Sequence, residues 1–382
     1  MENIKVLIVG AGVAGLTMAN LLVQHGIEPT IVEWEKEGDY NRSGYMLGLL
    51  PLGGRVFNEL GLRDEYFSKS IQMDLYNVHS ADGKMIRSYP LEFINKQYGS
   101  YRGISRIDLI DLLLERLNCQ QILFDTSVTG LVQGENEAEV RFSNEKTEVF
   151  DVVVIADGMH SESRNLILNE SQYHYNDTGW GGWASWLEEE PANFYDEYWG
   201  AGSFLGLYPV VDRIGIFLGG PTSTIQSKGL NNFVSEVADG IENHHPLLRM
   251  ALKAFRADDD PFFWKFQDCR SDLWYRGNTA LLGDAATGFL PTAGVGASMA
   301  MDSATALVDE LSRMDHNHVE YALKLYTQRQ KDRVERAQDD SRKFGRFMFL
   351  QSGLLSSLRD RVLTMYSLQR MLSDISKIME GR

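Results

Sequence analysis

The chain has 382 residues, 43% hydrophobic and 24% charged, which is enough apolar material for a substantial core in one or two globular domains and too much for a disordered chain. A formal charge of −16 opposes phosphate backbones and anionic membrane surfaces, so small molecules are the expected partners and nucleic acid is excluded. No run of about 18 uncharged apolar residues occurs, and the two cysteines, Cys119 and Cys269, form no CxxC pair and no metal-ligand cluster; the expectation is a cytoplasmic chain with structural thiols, no metal and no stable membrane insertion.

In chain order, residues 5–9 (KVLIV) read as a buried parallel strand and residues 14–25 as a helix closed by Gly26. Between them lies Gly10-Ala-Gly12-Val-Ala14-Gly15. In a strand–loop–helix turn of this kind the first glycine permits the tight turn, the second lets a pyrophosphate approach the backbone, and the third lets helix and strand pack closely. The free amides of the helix start then face the phosphates. A second strand, residues 29–33, ends in Glu33, 18 residues after Gly15, placed to accept from ribose hydroxyls and to repel a 2′-phosphate. This unit favours FAD or NAD over NADP and leaves the choice between those two open.

Residues 151–156 form another buried strand, followed by Asp157-Gly158-Met-His-Ser161-Glu-Ser-Arg164. A strand over 279–283 leads into Asp284-Ala-Ala-Thr287 and then Pro291-Thr-Ala-Gly294-Val295-Gly296-Ala297 at the start of a helix. These segments match the patterns DGxxSxxR and GD…P…GxG. With the first motif, the chain resembles the flavoprotein monooxygenases of the para-hydroxybenzoate hydroxylase type, the group A flavoprotein hydroxylases, from its N-terminus to about residue 340.

The resemblance implies an α/β fold: a Rossmann-type FAD-binding domain, an inserted, mostly antiparallel β-sheet substrate domain, and a C-terminal helical segment. The domain boundaries expected from the motifs are 1–71, 101–171 and 271–340 for the discontinuous FAD-binding domain, 72–100 and 172–270 for the substrate sheet, and 341–382 for the C-terminal segment. The resemblance further implies non-covalent FAD, with Asp284 on a ribityl hydroxyl and the helix-start amides of Gly294, Val295, Gly296 and Ala297 near flavin N1 and the C2 carbonyl. It places Asp157 by the flavin or nicotinamide entry, and Arg106, in Ser105-Arg106-Ile-Asp-Leu109, on FAD. Arg42, in Arg42-Ser-Gly44, resembles the family arginine beside the flavin, and Val128 completes the expected cofactor contacts. Ser161 and Arg164 are read as holding the fold. Thr287 stands where many family members carry His, which removes any histidine role there.

The segments at 72–100 and 172–270 carry alternating apolar and aromatic residues, with Trp180 and Trp186 on one face of a strand and Trp183 on the other. Trp183, Tyr208 and Pro291 are the expected substrate contacts. The stretch from 344 to 379 mixes basic residues with Leu, Met, Phe and Tyr. It reads as a helix packed across both domains, in preference to a membrane-surface helix or dimer contact.

The implied activity is hydroxylation. NADPH or NADH, bound transiently, reduces FAD; O₂ adds at the flavin C4a; and the hydroperoxide passes one oxygen to an electron-rich aromatic or polycyclic substrate. The cofactor carries that chemistry, so no catalytic triad is needed and no catalytic acid or base is singled out. Two rival readings stand beside it: a flavin-dependent reductase of the geranylgeranyl reductase type, with a similar GDAA…P…G motif, and a non-catalytic flavin- or ligand-binding protein. A halogenase is disfavoured because the WxWxIP element is missing. The expected assembly is a monomer or homodimer.

Overall fold

In the computed structural model, residues 4–42, 44–97, 99–117, 122–241 and 246–365 are described. Ser43, Cys119 and residues 366–382 of the expected C-terminal segment lie outside them.

The run VLIV at Val6–Val9 buries all four of its side chains, the pattern of a strand covered on both faces. It is central in a six-stranded sheet ordered Tyr275–Arg276, Thr279–Leu281, Val152–Ile155, Val6–Val9, Thr30–Val32, Ile122–Leu123. All pairings are parallel except that of the edge strand Tyr275–Arg276. One face packs on the helices Val13–Gln24 and Gly296–Ser312, with Ile8, Leu16, Met18 and Met301 fully buried. The other face, through Leu7, Val9, Val32 and Val153, is covered by a three-stranded antiparallel meander, Val128–Gln133, Ala138–Phe142 and Thr147–Phe150.

An eight-stranded sheet runs in the order Thr287–Gly288, Phe262–Ser271, Tyr173–Leu187, Arg213–Pro221, Phe204–Val210, Phe194–Trp199, Leu75–Ser80, Met85–Pro90. Its pairings are antiparallel save one, Phe194–Trp199 beside Leu75–Ser80. Period-two alternation divides its residues cleanly. Leu205, Leu207, Ile216 and Leu218 pack on the helices Leu230–Ile241 and Pro246–Ala257, while Phe204, Tyr208 and Phe217 turn to the opposite face. A small sheet of Met46–Leu49, Arg102–Ser105 and Ile71–Gln72 lies in the chain between the strands of the two large sheets.

The long helix Val319–Met348 ties the parts together. Gln338 Nε2 donates to the carbonyls of Cys269 (2.9 Å) and Gly288 (2.6 Å), and Arg342 Nε donates to the fully buried Asp268 at 2.9 Å. Thr292 Oγ1 donates to the Ser341 carbonyl at 2.9 Å. After a short break the helix Gly353–Met365 lies along the edge strand Met85–Pro90, where Arg87 donates to the Thr364 carbonyl at 2.9 Å. Where a helix was expected over 344–379, the described residues hold the end of one helix at Met348 and a second over Gly353–Met365. Among the described residues no helix is long and apolar enough to cross a membrane.

Candidate active site

The motif ends converge on a single cavity of about 970 Å³, at the upper end of the roughly 300–1,000 Å³ usual for small-molecule sites. Gly10, Gly12, Ala14 and Glu33 line it from the first motif, with Arg106 and Asp157 from the middle of the chain. Asp284, Pro291, Gly294, Val295, Gly296 and Ala297 line it from the third motif.

The glycine loop is shaped by close approach. Gly10 has φ +104°, and a side chain there would meet the Ala156 carbonyl at 2.7 Å. A Cβ on Gly15 would fall 2.0 Å from the Gly10 carbonyl oxygen, so this glycine lies beneath the loop as a packing requirement. Gly12, by contrast, has open space where a side chain would be. Glu33 is buried and fixes the loop from below: its Oε2 accepts from the Ala11 amide at 2.8 Å and its Oε1 from the Glu35 amide at 3.0 Å. Tyr40 clamps the same loop, donating to the Ala11 carbonyl at 2.5 Å.

The residues present fit FAD. The helices Val13–Gln24 and Gly296–Ser312 both begin at the cavity without a side-chain cap and without an acid in the first turn, which leaves two positive helix ends for pyrophosphate and for an electron-rich ring. Oδ1 of Asp157 is buried with no hydrogen-bond partner among the described residues. Burial pushes the Asp284 carboxyl up to about 6, the state of an acid awaiting a donor. Gly294 takes the left-handed conformation, φ +59°, to redirect the chain from the Pro291 turn into the helix.

Three expected residues lie elsewhere. Arg42 is exposed, 3.8 Å from Asp39 in a surface ion pair, and does not line the cavity. Val128 is buried in the core between the meander and the parallel sheet, because its strand turns that side chain inward. Trp183 is on the helix-covered face of its strand, packed on Phe233 (6.5 Å between ring centres) and Phe263 (5.4 Å); the alternation was right and the pocket face was the other one. Tyr208 and Pro291 line the cavity, as does Ala184 from the correct face of the Trp183 strand. Arg164 is fully buried, donating to the carbonyls of Ala285 (3.0 Å) and Met159 (2.9 Å), the fold-holding role expected. Thr287 is buried beside Arg270 in the eight-stranded sheet, its Oγ1 unpartnered among the described residues.

Residues 3–341 match the model of the FAD binding domain family. The chain belongs to that family. It is 25% identical over 324 residues to a flavin-dependent monooxygenase of an unknown prokaryotic organism, covering 82% of each chain. It is 24% identical over 366 residues to 6-hydroxynicotinate 3-monooxygenase of Pseudomonas fluorescens, covering 88% of this chain and 90% of the relative. Its fold matches the crystal structure of Klebsiella pneumoniae HpxO with FAD and uric acid at a TM-score of 0.87, with 21% identity over 100% of this chain and 97% of that one. This family member is an FAD-dependent oxidoreductase of the monooxygenase type, acting on a small molecule.

The family motifs account for one half of the cavity. The other half is aromatic, with Tyr45, Tyr101, Trp264 and Phe266 joined by Phe344 and Phe347 of the long helix. At its wall sits Glu197, 5% exposed, accepting from Tyr76 Oη (2.5 Å), Trp199 Nε1 (2.9 Å) and Tyr208 Oη (2.8 Å). Burial raises its pKa; the three donors pull the other way. Sequence reasoning passed over this acid, yet a signal exists. In the strand Phe194–Trp199, Tyr195, Glu197 and Trp199 share one face, and a carboxylate on an aromatic face of an alternating strand asks for an explanation.

Proposed function

We propose that this enzyme inserts one oxygen atom from O₂ into an electron-rich aromatic or polycyclic small molecule, using NADPH or NADH as a transient reductant, in the cytoplasm and as a monomer or homodimer. The observation that carries the reading is the continuity of the cavity. The glycine loop, Asp157, Asp284 and the Pro291–Ala297 turn share one space with the aromatic wall, so a dinucleotide and a ring substrate can be held side by side. The strands of the six-stranded sheet all fall within 1–71, 101–171 and 271–340, and those of the eight-stranded sheet within 72–100 and 172–270, except Thr287–Gly288 and the last residue of Phe262–Ser271. That distribution supports the proposed domain division.

In this reading Gly10, Gly12, Ala14 and Gly15 shape the pyrophosphate cradle and Glu33 steadies it while facing the adenosine ribose. Arg106, the first residue of the helix Arg106–Leu114, adds positive charge at the cavity wall. Asp284 accepts from a ribityl hydroxyl, and the amides from Gly294 to Ala297 stabilise negative charge on the ring system. Bound FAD supplies the electron transfer and oxygen activation. The chain's own part is to hold the ring, to seat the substrate on the aromatic wall and, through Phe344, Phe347 and Leu363 from the C-terminal helices, to keep water out.

The test is direct. The protein, purified and loaded with FAD, should be yellow, and nicotinamide oxidation and O₂ uptake should both rise when a phenolic substrate is added. Reduction of a prenyl compound without O₂ would instead support the reductase, and flavin that nicotinamide never reduces would support a binding protein.

A further inference from the structure

We propose that Glu197, Tyr76 and Tyr208 form the substrate-docking pole of the cavity, which accepts a hydrogen-bond donor on the substrate ring, O–H or N–H, and rejects a carboxylate at that position. The inference rests on the monooxygenase reading for the location of the substrate and deepens it by naming the group that is recognised.

The argument is a count of donors and acceptors. A phenol has one O–H, and an indole nitrogen only donates. Tyr76 and Trp199 both donate to Oε2 of Glu197, filling that oxygen, and Tyr208 donates to Oε1. Both phenolic protons are therefore committed. What Tyr76, Tyr208 and Glu197 still have to offer the cavity they line is lone pairs on the two phenol oxygens and the second acceptor site on Oε1. Glu197 has no cationic partner among the described residues, and its neighbour in sequence, Asp196, adds to the negative field. A substrate carboxylate brings only acceptors to a wall whose open positions are themselves acceptors, whereas a hydroxyl, amine or ring N–H completes the set.

The register of the sheet brings Tyr208 to the acid. Glu197 pairs across the sheet with Gly206, where a Cβ would fall 2.3 to 2.5 Å from ring atoms of Tyr208; the missing side chain lets that ring fold back toward the acid. The pole is also continuous with the cofactor half. Tyr101, whose hydroxyl lies 3.1 Å from where a Cβ on Gly294 would be, contacts Tyr195 edge to face at 5.6 Å, and Tyr195 contacts Tyr208 at 5.4 Å. Three aromatic rings thus lead from the Gly294 turn to Glu197.

Calorimetric titration of the FAD-loaded protein with naphthol, naphthylamine and naphthoate tests the proposal without turnover. Naphthol and naphthylamine should each bind at least about tenfold tighter than naphthoate, a gap of about 1.4 kcal/mol. Glu197→Gln should shrink that gap to less than about threefold, mostly by improving naphthoate, with flavin content unchanged. Should Glu197→Gln fail to fold, Glu197→Leu, which removes the acceptor oxygens altogether, must weaken naphthol several-fold while retaining FAD. Naphthoate binding as tightly as naphthol, a gap unchanged in the variants, or no binding of either donor probe would overturn the proposal. The expected binding pattern without O₂ uptake on any donor-bearing ring would leave the docking pole standing and refute the monooxygenase reading instead.

Discussion

The two halves of the cavity are made from different materials. The dinucleotide half is built from backbone: two uncapped helix starts, a glycine loop and a proline-led turn, with Glu33, Asp157 and Asp284 as the few side chains that matter. The aromatic half is built from side chains, with Glu197 held by three donors and ringed by tyrosines from four separate segments. Where backbone packs on backbone, as at Gly10 and Gly15, no atom can be added without a shift, although Gly12 faces open space. Side-chain sites tolerate substitution in shape but not in hydrogen-bond pattern.

The largest effect should come from adding one carbon to the backbone half. Gly15→Ala places a methyl 2.0 Å from the Gly10 carbonyl oxygen, so the loop must shift; FAD affinity should fall more than about tenfold, above about 1.4 kcal/mol, measured by flavin retained after desalting. A variant that stays yellow would break the comparison at its strongest point.

A smaller effect is expected from titrating the same half. The Asp284 carboxyl is raised to about 6, so the folded apoprotein holds that proton more firmly than the unfolded chain, and the stability this contributes is lost as pH rises through about 6. On the proposed contact, a flavin hydroxyl donating to the ionised acid would reverse the penalty. FAD uptake by the apoprotein should therefore strengthen as pH rises toward and past about 6 and then level off. In Asp284→Asn the dependence should shrink to what Asp157 and Glu35, also raised by burial, leave behind. A fluorescence titration across pH checks both curves.

On the aromatic half, Gly206→Ala should displace Tyr208 from Glu197 and raise the KM for a ring substrate several-fold while FAD binding stays intact. The smallest effect belongs to Trp183→Phe, on the far face of the same sheet. It should cost no more than about 1.5 kcal/mol by thermal melting and leave steady-state kinetics alone, since the ring packs on Phe233 and Phe263 away from the cavity.

The same contrast explains what could be read from the sequence. Gly10, Gly15, Asp284 and Gly294 were legible because a backbone site needs particular residues at fixed spacing along one strand–turn–helix unit. The parallel sheet followed from those units, and the alternation at Trp180, Trp183 and Trp186 foretold the second sheet, though not which face would hold the pocket. Of the partners of Glu197 only Trp199, two residues along the same strand, could be placed from the linear order; Tyr76 and Tyr208 reach it through sheet pairings that the linear order does not reveal. Arg42 and Val128 lie outside the cavity for a related reason: the short match at Arg42-Ser-Gly44 fixes a position along the chain but not the direction of its side chain, and Val128 had no motif to fix even that. The contribution of Phe344 and Phe347 was hidden by the 30-residue helix that carries them, whose amphipathic pattern says that one face is buried without saying what it covers.

The central claim is that both halves serve one oxygen transfer. The most direct measurement supplies the FAD-loaded enzyme with nicotinamide, isotope-labelled dioxygen and a hydroxylated or aminated ring compound, and weighs the product. The account predicts a product heavier by one labelled oxygen atom per nicotinamide oxidised. A product without label, or nicotinamide oxidation that yields only hydrogen peroxide across every donor-bearing ring tried, would contradict it.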